Sequence, residues 1–394
     1  MAIFLYIRKM DKENKSHTYE VGRPEEKSLR QALEPKTDPV SVRIKRYLSM
    51  PDLSRTEGSP IHEIVQRILS QPDFKSFDII KVPEIVPTDV SFDLYGFAKD
   101  HPARSTSDTY FLDENNLLRT HTTVMWYYYL NQPEVKARMQ TGEAVGFFSF
   151  GKVYRKDEID RHHMNVFHQI DGGFLIPKSK KVITVDDLQK VLADIAKAVF
   201  GPNIKYRFNP DTFPYTDPSL EMEVEINGRW IEVLGCGIMT DNLIRNLGLD
   251  PEKWSNWAFG FGIERLVIIS MDLPDIRLLW SEDERVKKQL KLDQKFVEVS
   301  KYPPIVRDIS FIVKNDFIPN DYFDLVREIA PGLVEQVELL DKYENTEKFG
   351  EGKISYAFRI TYRSLERTLT SEEIDNIHKK VEEATTKIFG GAIR

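Results

Sequence analysis

The chain has 394 residues, of which 41% are hydrophobic and 30% are charged, and its formal net charge is -7. This length and composition predict at least one large core and two or three domains. No apolar run approaches the roughly 18 residues that a membrane span needs, so we expect no membrane partner. The single cysteine, Cys236, excludes an intrachain disulfide, and we expect it to pack in the core rather than act as a nucleophile.

The first 58 residues are predicted to form a basic, partly ordered extension. Residues 1–50 hold 11 Lys/Arg against 7 Asp/Glu and show no sustained apolar pattern. Such a segment could contact phosphate, or it could be a solvated arm without a partner. Its acidic residues are unlike an Arg-rich transit peptide, so we expect a cytoplasmic protein, with the mitochondrial matrix as the alternative.

Two helices are predicted from apolar residues that recur at helical spacing. The first covers residues 61–69 and opens a folded body that we expect to span residues 59–290. The second covers residues 188–199, with acidic residues at its N-terminal end and Gly201 just beyond its C-terminal end.

A hairpin is predicted where Asn227-Gly228 separates two alternating apolar runs, as in a type I′ turn. This register sets Glu223 opposite Glu232. Opposed like charges destabilise a sheet unless a positive charge lies between them. Mg²⁺ bound to phosphate oxygens would supply that charge, and two glutamates facing water are the alternative.

The last part of the chain, residues 301–394, is predicted to be a separate module after a linker at residues 291–300. Its pattern gives a strand, a helix, a strand with strict alternation over residues 354–362, and a final helix that begins with a capping box at Thr370 and Glu373. These elements fit a β-α-β-β-α order, which suggests a ferredoxin-like fold.

Four groups of segments carry the residues suited to chemistry. They are, in chain order, HPAR, DTYFL and LRTHT at 101–104, 108–112 and 118–122; GKVYR and FHQIDG at 151–155 and 167–172; FPYTDPS and EVLGCG at 213–219 and 232–237; and WAFGFGIERL at 257–266. In this order, and from about Pro60 onward, the chain resembles the phenylalanyl-tRNA synthetases. The segment at Arg155 looks like class II motif 2, and the segment at Arg265 looks like motif 3.

The C-terminal module resembles the ferredoxin-fold anticodon-binding domain of that family. Its presence on the same chain as the core is similar to the single-chain, mitochondrial-type enzymes. The resemblance implies an α+β fold, with an antiparallel sheet flanked by helices in the core. It also implies a phenylalanine–tRNA ligase that uses ATP, L-phenylalanine and tRNA(Phe), without a separate β subunit. A monomer is expected from the single-chain arrangement, and a homodimer is the alternative.

The resemblance further implies roles for polar residues around ATP. Arg155 and Arg265 would be catalytic and would grip the α- and γ-phosphates, since arginine offers paired donors that match phosphate oxygens. Asp157, His163 and Glu232 would also bind ATP, and Glu223 with Glu232 would hold Mg²⁺. A surface salt bridge is the alternative for Arg265.

For phenylalanine, the resemblance implies a pocket with polar groups at one end and an apolar slot for the ring. Its residues are Gln169 and Asp171 at the amino group, His121 and Thr123 near the carboxylate, and Phe213, Tyr215, Ala258 and Phe259 around the ring. Three positions depart from the family pattern. Asp171 replaces a glutamate, Tyr215 replaces a phenylalanine, and residues 124–126 (VMW) lie where a polar residue such as glutamine is more frequent.

In the C-terminal module, four residues are expected to contact tRNA: Arg359, Tyr362, Arg363 and Arg367. Solvated arginines without a partner are the alternative, because the module holds more acidic than basic residues. A competing reading of the whole chain is a related protein that keeps the fold but binds or regulates RNA, or that adenylates another substrate.

Overall fold

The chain divides between Phe296 and Val297 into two units, each with its own sheet and core. The computed structural model describes residues 16–156, 163–364 and 366–394. The division lies within residues 291–300, the segment expected to be a linker.

The described part of the first unit contains ten strands and nine α-helices. The strands are β1 (Thr18–Glu20), β2 (Asp78–Lys81), β3 (Ile85–Pro87), β4 (Asn116–Leu118), β5 (Val145–Tyr154), β6 (Val166–Pro177), β7 (Tyr206–Phe213), β8 (Thr216–Ile226), β9 (Arg229–Met239) and β10 (Trp254–Gly262). The α-helices are α1 (Pro24–Leu33), α2 (Pro39–Ser49), α3 (Pro60–Leu69), α4 (Met125–Leu130), α5 (Pro133–Gln140), α6 (Val185–Phe200), α7 (Asp241–Asn246), α8 (Ile263–Met271) and α9 (Glu284–Lys287).

An eight-stranded sheet organises this unit, in the order β1-β2-β5-β6-β10-β9-β8-β7. Strands β5 to β10 pair antiparallel, which confirms the predicted sheet, and β1 and β2 add a parallel edge beside β5. All ten residues of β5 are buried, so the sheet is covered on both faces at its middle.

Both helices predicted from apolar spacing are present. In α3, Ile61, Ile64, Val65 and Ile68 are fully buried, and the helix packs against α6 and α8. The N terminus of α6 has a capping box between Thr184 and Asp187, and Gly201 ends the helix with a positive φ of 95°.

The predicted hairpin joins β8 to β9 with the expected register. Asn227 and Gly228 have φ values of 51° and 77°, as a type I′ turn requires. Ile226 pairs with Arg229, and Glu223 lies opposite Glu232.

Residues 16–58, expected to be a partly ordered extension, pack on the body of the unit. Leu33, Ile44 and Tyr47 are buried in a cluster with side chains from β3, β5 and β6. The Nζ atom of Lys152 donates to the carbonyl oxygens of Leu48 and Met50, at 3.1 and 2.7 Å, at the C-terminal end of α2. A cation at a helix C terminus satisfies carbonyl groups that lack partners within the helix.

The second unit has the ferredoxin-like fold predicted from its β-α-β-β-α order. Its described elements are β11 (Ile305–Lys314), α10 (Pro319–Ile329), β12 (Val334–Glu344), α11 (Thr346–Phe349), β13 (Lys353–Tyr362), α12 (Ser371–Phe389) and β14 (Ala392–Ile393). The sheet order is β12-β13-β11-β14, and every pair is antiparallel. Ile354, Tyr356, Phe358 and Ile360 enter the core, as their alternation predicts.

The final helix, α12, buries only some of its apolar residues. Ile374 and Val381 are buried, whereas Ile388 is 60% exposed. In the described part of the chain, no helix has both the length and the apolar character needed to cross a membrane.

Candidate active site

A cavity of about 420 Å³ brings together side chains from β6, β9, β10, the β7–β8 turn and the start of α8. Twelve residues predicted to bind ATP or phenylalanine line it: His121, Thr123, Arg155, His163, Gln169, Asp171, Phe213, Tyr215, Glu232, Ala258, Phe259 and Arg265. Asp157 lies outside the described residues, and Glu223 is not part of the lining. Each of the four motif groups therefore contributes side chains to one cavity.

Strand alternation explains how β6 contributes to the cavity. Phe167, Gln169 and Asp171 are two positions apart, so they share one face of the strand, and all three line the cavity. The antiparallel partner β10 sets Gly260 opposite Asp171 and Gly262 opposite Gln169. The two strands therefore form one wall of the cavity, in which Gln169 and Asp171 are the polar side chains from β6.

Asp171 is a buried carboxylate held by two hydroxyl groups. Its oxygens accept hydrogen bonds from Thr122 Oγ1 at 2.7 Å and Thr123 Oγ1 at 2.5 Å. Burial raises the pKa of Asp171 from 3.8 to about 6, while both threonines and the Arg155 charge act in the opposite direction. Asp171 is one methylene shorter than the glutamate usual in the family, and the hydroxyl groups of Thr122 and Thr123 hold its carboxylate in place. Thr122 was not among the predicted site residues.

His121 is held as a neutral imidazole. Burial, reinforced by the charge of Arg155, lowers the pKa of His121 to about 4. Its Nε2 atom lies 3.2 Å from the carbonyl oxygen of Ser91, which can only accept, so Nε2 carries the proton. The Nδ1 atom is therefore an acceptor, and it has no hydrogen-bond partner among the described residues.

Aromatic side chains form the apolar part of the cavity. Phe213 and Tyr215 are stacked with ring centroids 6.0 Å apart, and Tyr215 meets the edge of Trp126 at 6.1 Å. Burial raises the pKa of the Tyr215 phenol, and the nearby charge of Asp171 adds to this. Phe97 and Trp126 also line the cavity but were not predicted as site residues. Their positions close to the HPAR and LRTHT segments in the sequence could have identified them as site residues.

The two predicted catalytic arginines lie on the cavity wall. Arg155 follows β5, donates from Nε to the Thr120 carbonyl oxygen at 3.0 Å, and lies over the Phe167 ring. Arg265 lies in the first turn of α8 and is about half exposed. Its Nη1 atom donates to the Glu232 carbonyl oxygen at 3.2 Å. Two guanidinium groups on the wall of one cavity, one of them in the first turn of a helix, are suited to bind an anion.

The opposed glutamates of the hairpin have protein cations as partners. Glu223 accepts from Arg207 Nε at 2.5 Å and from Asn209 Nδ2 at 2.9 Å, and the hydrogen bond from Arg207 lowers the pKa of Glu223. Glu232 lies 3.4 Å from Arg265. No cluster of three or more potential metal ligands occurs among the residues with described positions. Glu232 lines the cavity, whereas Glu223 does not, and both of these hydrogen bonds to Glu223 engage its Oε2 atom.

Comparison of the sequence with known protein families agrees with this geometry. Residues 46–290 match the family described as tRNA synthetases class II core domain (F), and residues 300–394 match the ferredoxin-fold anticodon binding domain. The chain is 35% identical over 347 residues to a mouse protein named mitochondrial phenylalanine–tRNA ligase, covering 79% of this chain and 74% of that protein. The chain belongs to the phenylalanine–tRNA ligase family of class II tRNA synthetases.

Two further relatives support this assignment. A protein of Arabidopsis thaliana named chloroplastic/mitochondrial phenylalanine–tRNA ligase is 38% identical over 321 residues, with 79% of this chain and 71% of that protein covered. A Saccharomyces cerevisiae protein named mitochondrial phenylalanine–tRNA ligase is 31% identical over 402 residues, with 82% and 83% covered. The synthetase core and the anticodon-binding domain therefore occur on one chain.

In the anticodon-binding domain, one predicted tRNA contact is wrong. Tyr362 is fully buried, and its hydroxyl lies 3.1 Å from His378 Nδ1, so its ring cannot stack on a base. The same alternation that predicted β13 directs Tyr362 into the core. The predicted arginines have acidic partners: Arg359 with Asp308, Arg363 with Glu335, and Arg367 with Glu373. Any contact of these arginines with tRNA competes with those ion pairs.

Proposed function

We propose that this chain activates L-phenylalanine with ATP and transfers the phenylalanyl group to tRNA(Phe). The observation that carries the proposal is the single cavity that joins a buried carboxylate, an aromatic wall and two arginines. Each suits one part of the reaction: the ammonium group, the ring and the triphosphate. The names of the mouse, Arabidopsis and yeast relatives agree with it.

Phenylalanine binds with its ammonium group at Asp171 and Gln169. An ionised Asp171 offers charge to the ammonium, and the Gln169 Oε1 atom, which accepts from the Thr122 N–H at 3.3 Å, has a second lone pair. The ring lies among Phe213, Tyr215 and Phe259, where edge and face contacts favour a planar side chain.

Adenylate formation is an attack of a phenylalanine carboxylate oxygen on the α-phosphorus of ATP. A new P–O bond forms, the bond from the α-phosphorus to the bridging oxygen breaks, and pyrophosphate leaves with that electron pair. Arg155 stabilises charge at the α-phosphate, and Arg265 with His163 binds the γ end of the triphosphate. Asp157 is proposed as a further ATP contact.

Mg²⁺ enters as the partner of ATP rather than as a resident ion. Glu232 faces the cavity and fits as its single protein carboxylate, since Mg²⁺ commonly binds one or two carboxylates together with phosphate oxygens and water. Bound there, Mg²⁺ would neutralise part of the triphosphate charge.

In the second step, a ribose hydroxyl at the end of tRNA(Phe) attacks the phenylalanyl carbonyl carbon, and AMP leaves. The C-terminal domain recognises the tRNA, with Arg359, Arg363 and Arg367 as proposed contacts. Because both domains are on one chain, no separate β subunit is required, and we propose a monomer. The mitochondrial and chloroplastic names of the relatives favour the organelle matrix and give no support to the cytoplasmic placement.

Charging of transcripts tests this function. The full-length protein with ATP, Mg²⁺ and labelled phenylalanine should charge a tRNA(Phe) transcript, and a tRNA(Tyr) transcript should stay uncharged. Absence of charging with tRNA(Phe), or preferential attachment of tyrosine, would overturn the proposal.

A further inference from the structure

A buried pair, His168 and Glu264, connects β6 to the first turn of α8. The Glu264 carboxylate accepts from the backbone N–H of His168, at 2.9 and 2.8 Å to its two oxygens, and from His168 Nδ1 at 2.7 Å. His168 is fully buried and Glu264 is 3% exposed. A carboxylate that takes several hydrogen bonds away from water is held firmly, because leaving those donors unpaired is costly.

The second ring nitrogen of His168 fixes the tautomer. Nε2 accepts from the backbone N–H of Leu53 at 2.9 Å, and Asp52 Oδ1 lies 3.5 Å away. A backbone N–H can only donate, so Nε2 is unprotonated and Nδ1 carries the proton given to Glu264. The Trp280 ring stacks on the imidazole with centroids 5.5 Å apart. His168 therefore has one orientation.

The pair lies where the strand ladder between β6 and β10 ends. The last paired residues are Gln169 and Gly262, after which the chain turns into α8. Glu264 is two residues beyond Gly262, and its carboxylate accepts the hydrogen bond from the backbone N–H of His168. The Glu264 side chain thus extends the hydrogen bonding between β6 and the β10–α8 segment by one more residue.

The neighbours of the pair are residues of the proposed reaction. Gln169 follows His168 and Arg265 follows Glu264; Gln169, Glu264 and Arg265 line the cavity, whereas His168 lies on the opposite face of β6. A shift of β6 against α8 would move the amino-group contact relative to the triphosphate contact.

We propose that His168 and Glu264 are positioning residues that keep Gln169 and Arg265 in register for adenylate formation. This rests on the proposed function. Misplacement of reacting groups by about 1 Å can reduce a rate about 100-fold, so a link of this kind has a measurable effect on kcat.

Two substitutions at His168 separate its two hydrogen bonds. In His168→Asn the amide nitrogen takes the place of Nδ1 and can still donate to Glu264. In His168→Gln the amide oxygen takes the place of Nε2 and can still accept from Leu53, but the donor to Glu264 is lost. A third variant, Glu264→Gln, keeps the side-chain shape and replaces one acceptor oxygen by a donor.

The test is phenylalanine-dependent ATP–pyrophosphate exchange by the full-length protein, with kcat and both KM values measured beside thermal unfolding. We expect His168→Asn to retain most of the wild-type kcat, while His168→Gln and Glu264→Gln lose about 100-fold. Unchanged kcat in Glu264→Gln, or equal losses in the two His168 variants, would overturn the positioning role. If His168→Gln does not fold, Glu264→Gln decides. A wild-type protein without exchange would instead refute the proposed function.

Discussion

Gly260 lies directly opposite Asp171 in the sheet, and a Cβ atom at Gly260 would lie 2.6 Å from Asp171 Oδ1. The absence of a side chain at residue 260 is therefore what leaves room for the buried carboxylate. This contact joins the FHQIDG segment to the glycine-rich segment that resembles motif 3.

Gly260→Ala should weaken phenylalanine binding. The added methyl group must displace the Asp171 carboxylate from Thr122 and Thr123, so we expect the KM for phenylalanine to rise about tenfold or more, as for loss of a charge-assisted hydrogen bond. The KM for ATP should change less. Exchange kinetics measure both, and Gly22→Ala, where a Cβ would meet nothing within 4 Å, is the control. An unchanged KM for phenylalanine would contradict this use of Asp171.

Phenylalanine affinity should fall at acid pH. Because burial raises the pKa of Asp171 to about 6, the carboxylate is mostly ionised at pH 7 and mostly protonated at pH 5. The ammonium group needs the ionised form, so the KM for phenylalanine should rise about tenfold between those values. An Asp171→Asn variant should lack this step, and a flat wild-type profile would rule the assignment out.

The raised pKa of Asp171 has a matching effect on stability. The folded protein holds this proton more tightly than the unfolded chain, whose aspartate has a pKa near 3.8. The contribution of Asp171 to stability is therefore highest below the unfolded pKa and is lost as pH rises through about 6. Saturating phenylalanine should offset this loss at pH 7 by binding the ionised form, which thermal unfolding with and without the amino acid can measure.

Arg155→Ala and Arg265→Ala should each abolish adenylate formation without unfolding the protein. Removal of one preorganised donor from a site of developing charge costs about 100- to 1,000-fold in kcat. Arg265→Lys should also be impaired, because lysine lacks the paired donors. Arg277→Ala is the control, since the Arg277 side chain is 63% exposed and pairs with Asp275. Circular dichroism checks the fold, and substantial exchange by either alanine variant would refute the phosphate-binding role.

Lys152→Met should destabilise the first unit. The Lys152 side chain is 4% exposed and lies 3.1 Å from Glu84, so its loss leaves a carboxylate and the carbonyls at the C-terminal end of α2 without this partner. We expect a loss of about 3 kcal/mol in the free energy of unfolding, measured with urea. Lys81→Met, which removes an exposed pair with Glu20, should cost less than about 1 kcal/mol. Equal effects of the two variants would show that burial of Lys152 adds nothing.

Removal of the C-terminal domain should separate the two half-reactions. A chain that ends at Lys301 keeps the cavity, so amino-acid activation should persist while transfer to tRNA(Phe) weakens. The pair of assays is pyrophosphate exchange and tRNA charging. Undiminished charging by the shortened chain would contradict the role of residues 302–394 in tRNA recognition.

Local patterns predicted the fold well where one face of an element is buried. The helix at residues 60–69, the hairpin at Asn227 and strand β13 follow directly from apolar spacing and turn chemistry. Strand β12 could not be located this way, because most of its residues are exposed and its apolar residues do not alternate. The packing of residues 16–58 depends on a few buried side chains, such as Ile44 and Tyr47, that form no repeating pattern.

The candidate site was predictable as a set of residues but not as a set of contacts. The resemblance identified the twelve residues that line the cavity, and the sheet register then explains how they meet. The arginine partner of Glu223 lies on β7, and a hairpin considered alone does not include that strand. At Tyr362 the two predictions conflicted. The alternation of apolar residues in β13 predicted burial, which is observed, whereas the aromatic ring alone suggested a tRNA contact.

Amino-acid-dependent ATP–pyrophosphate exchange, run with each of the twenty amino acids and Mg²⁺, tests the central claim most directly. Exchange with phenylalanine alone is the predicted result, since the cavity offers an aromatic slot and the buried carboxylate of Asp171. Exchange dominated by tyrosine would contradict phenylalanine as the substrate and would point to the hydroxyl of Tyr215 as a specificity determinant. No exchange with any amino acid would contradict the proposed activity and favour a protein that keeps the fold for another purpose.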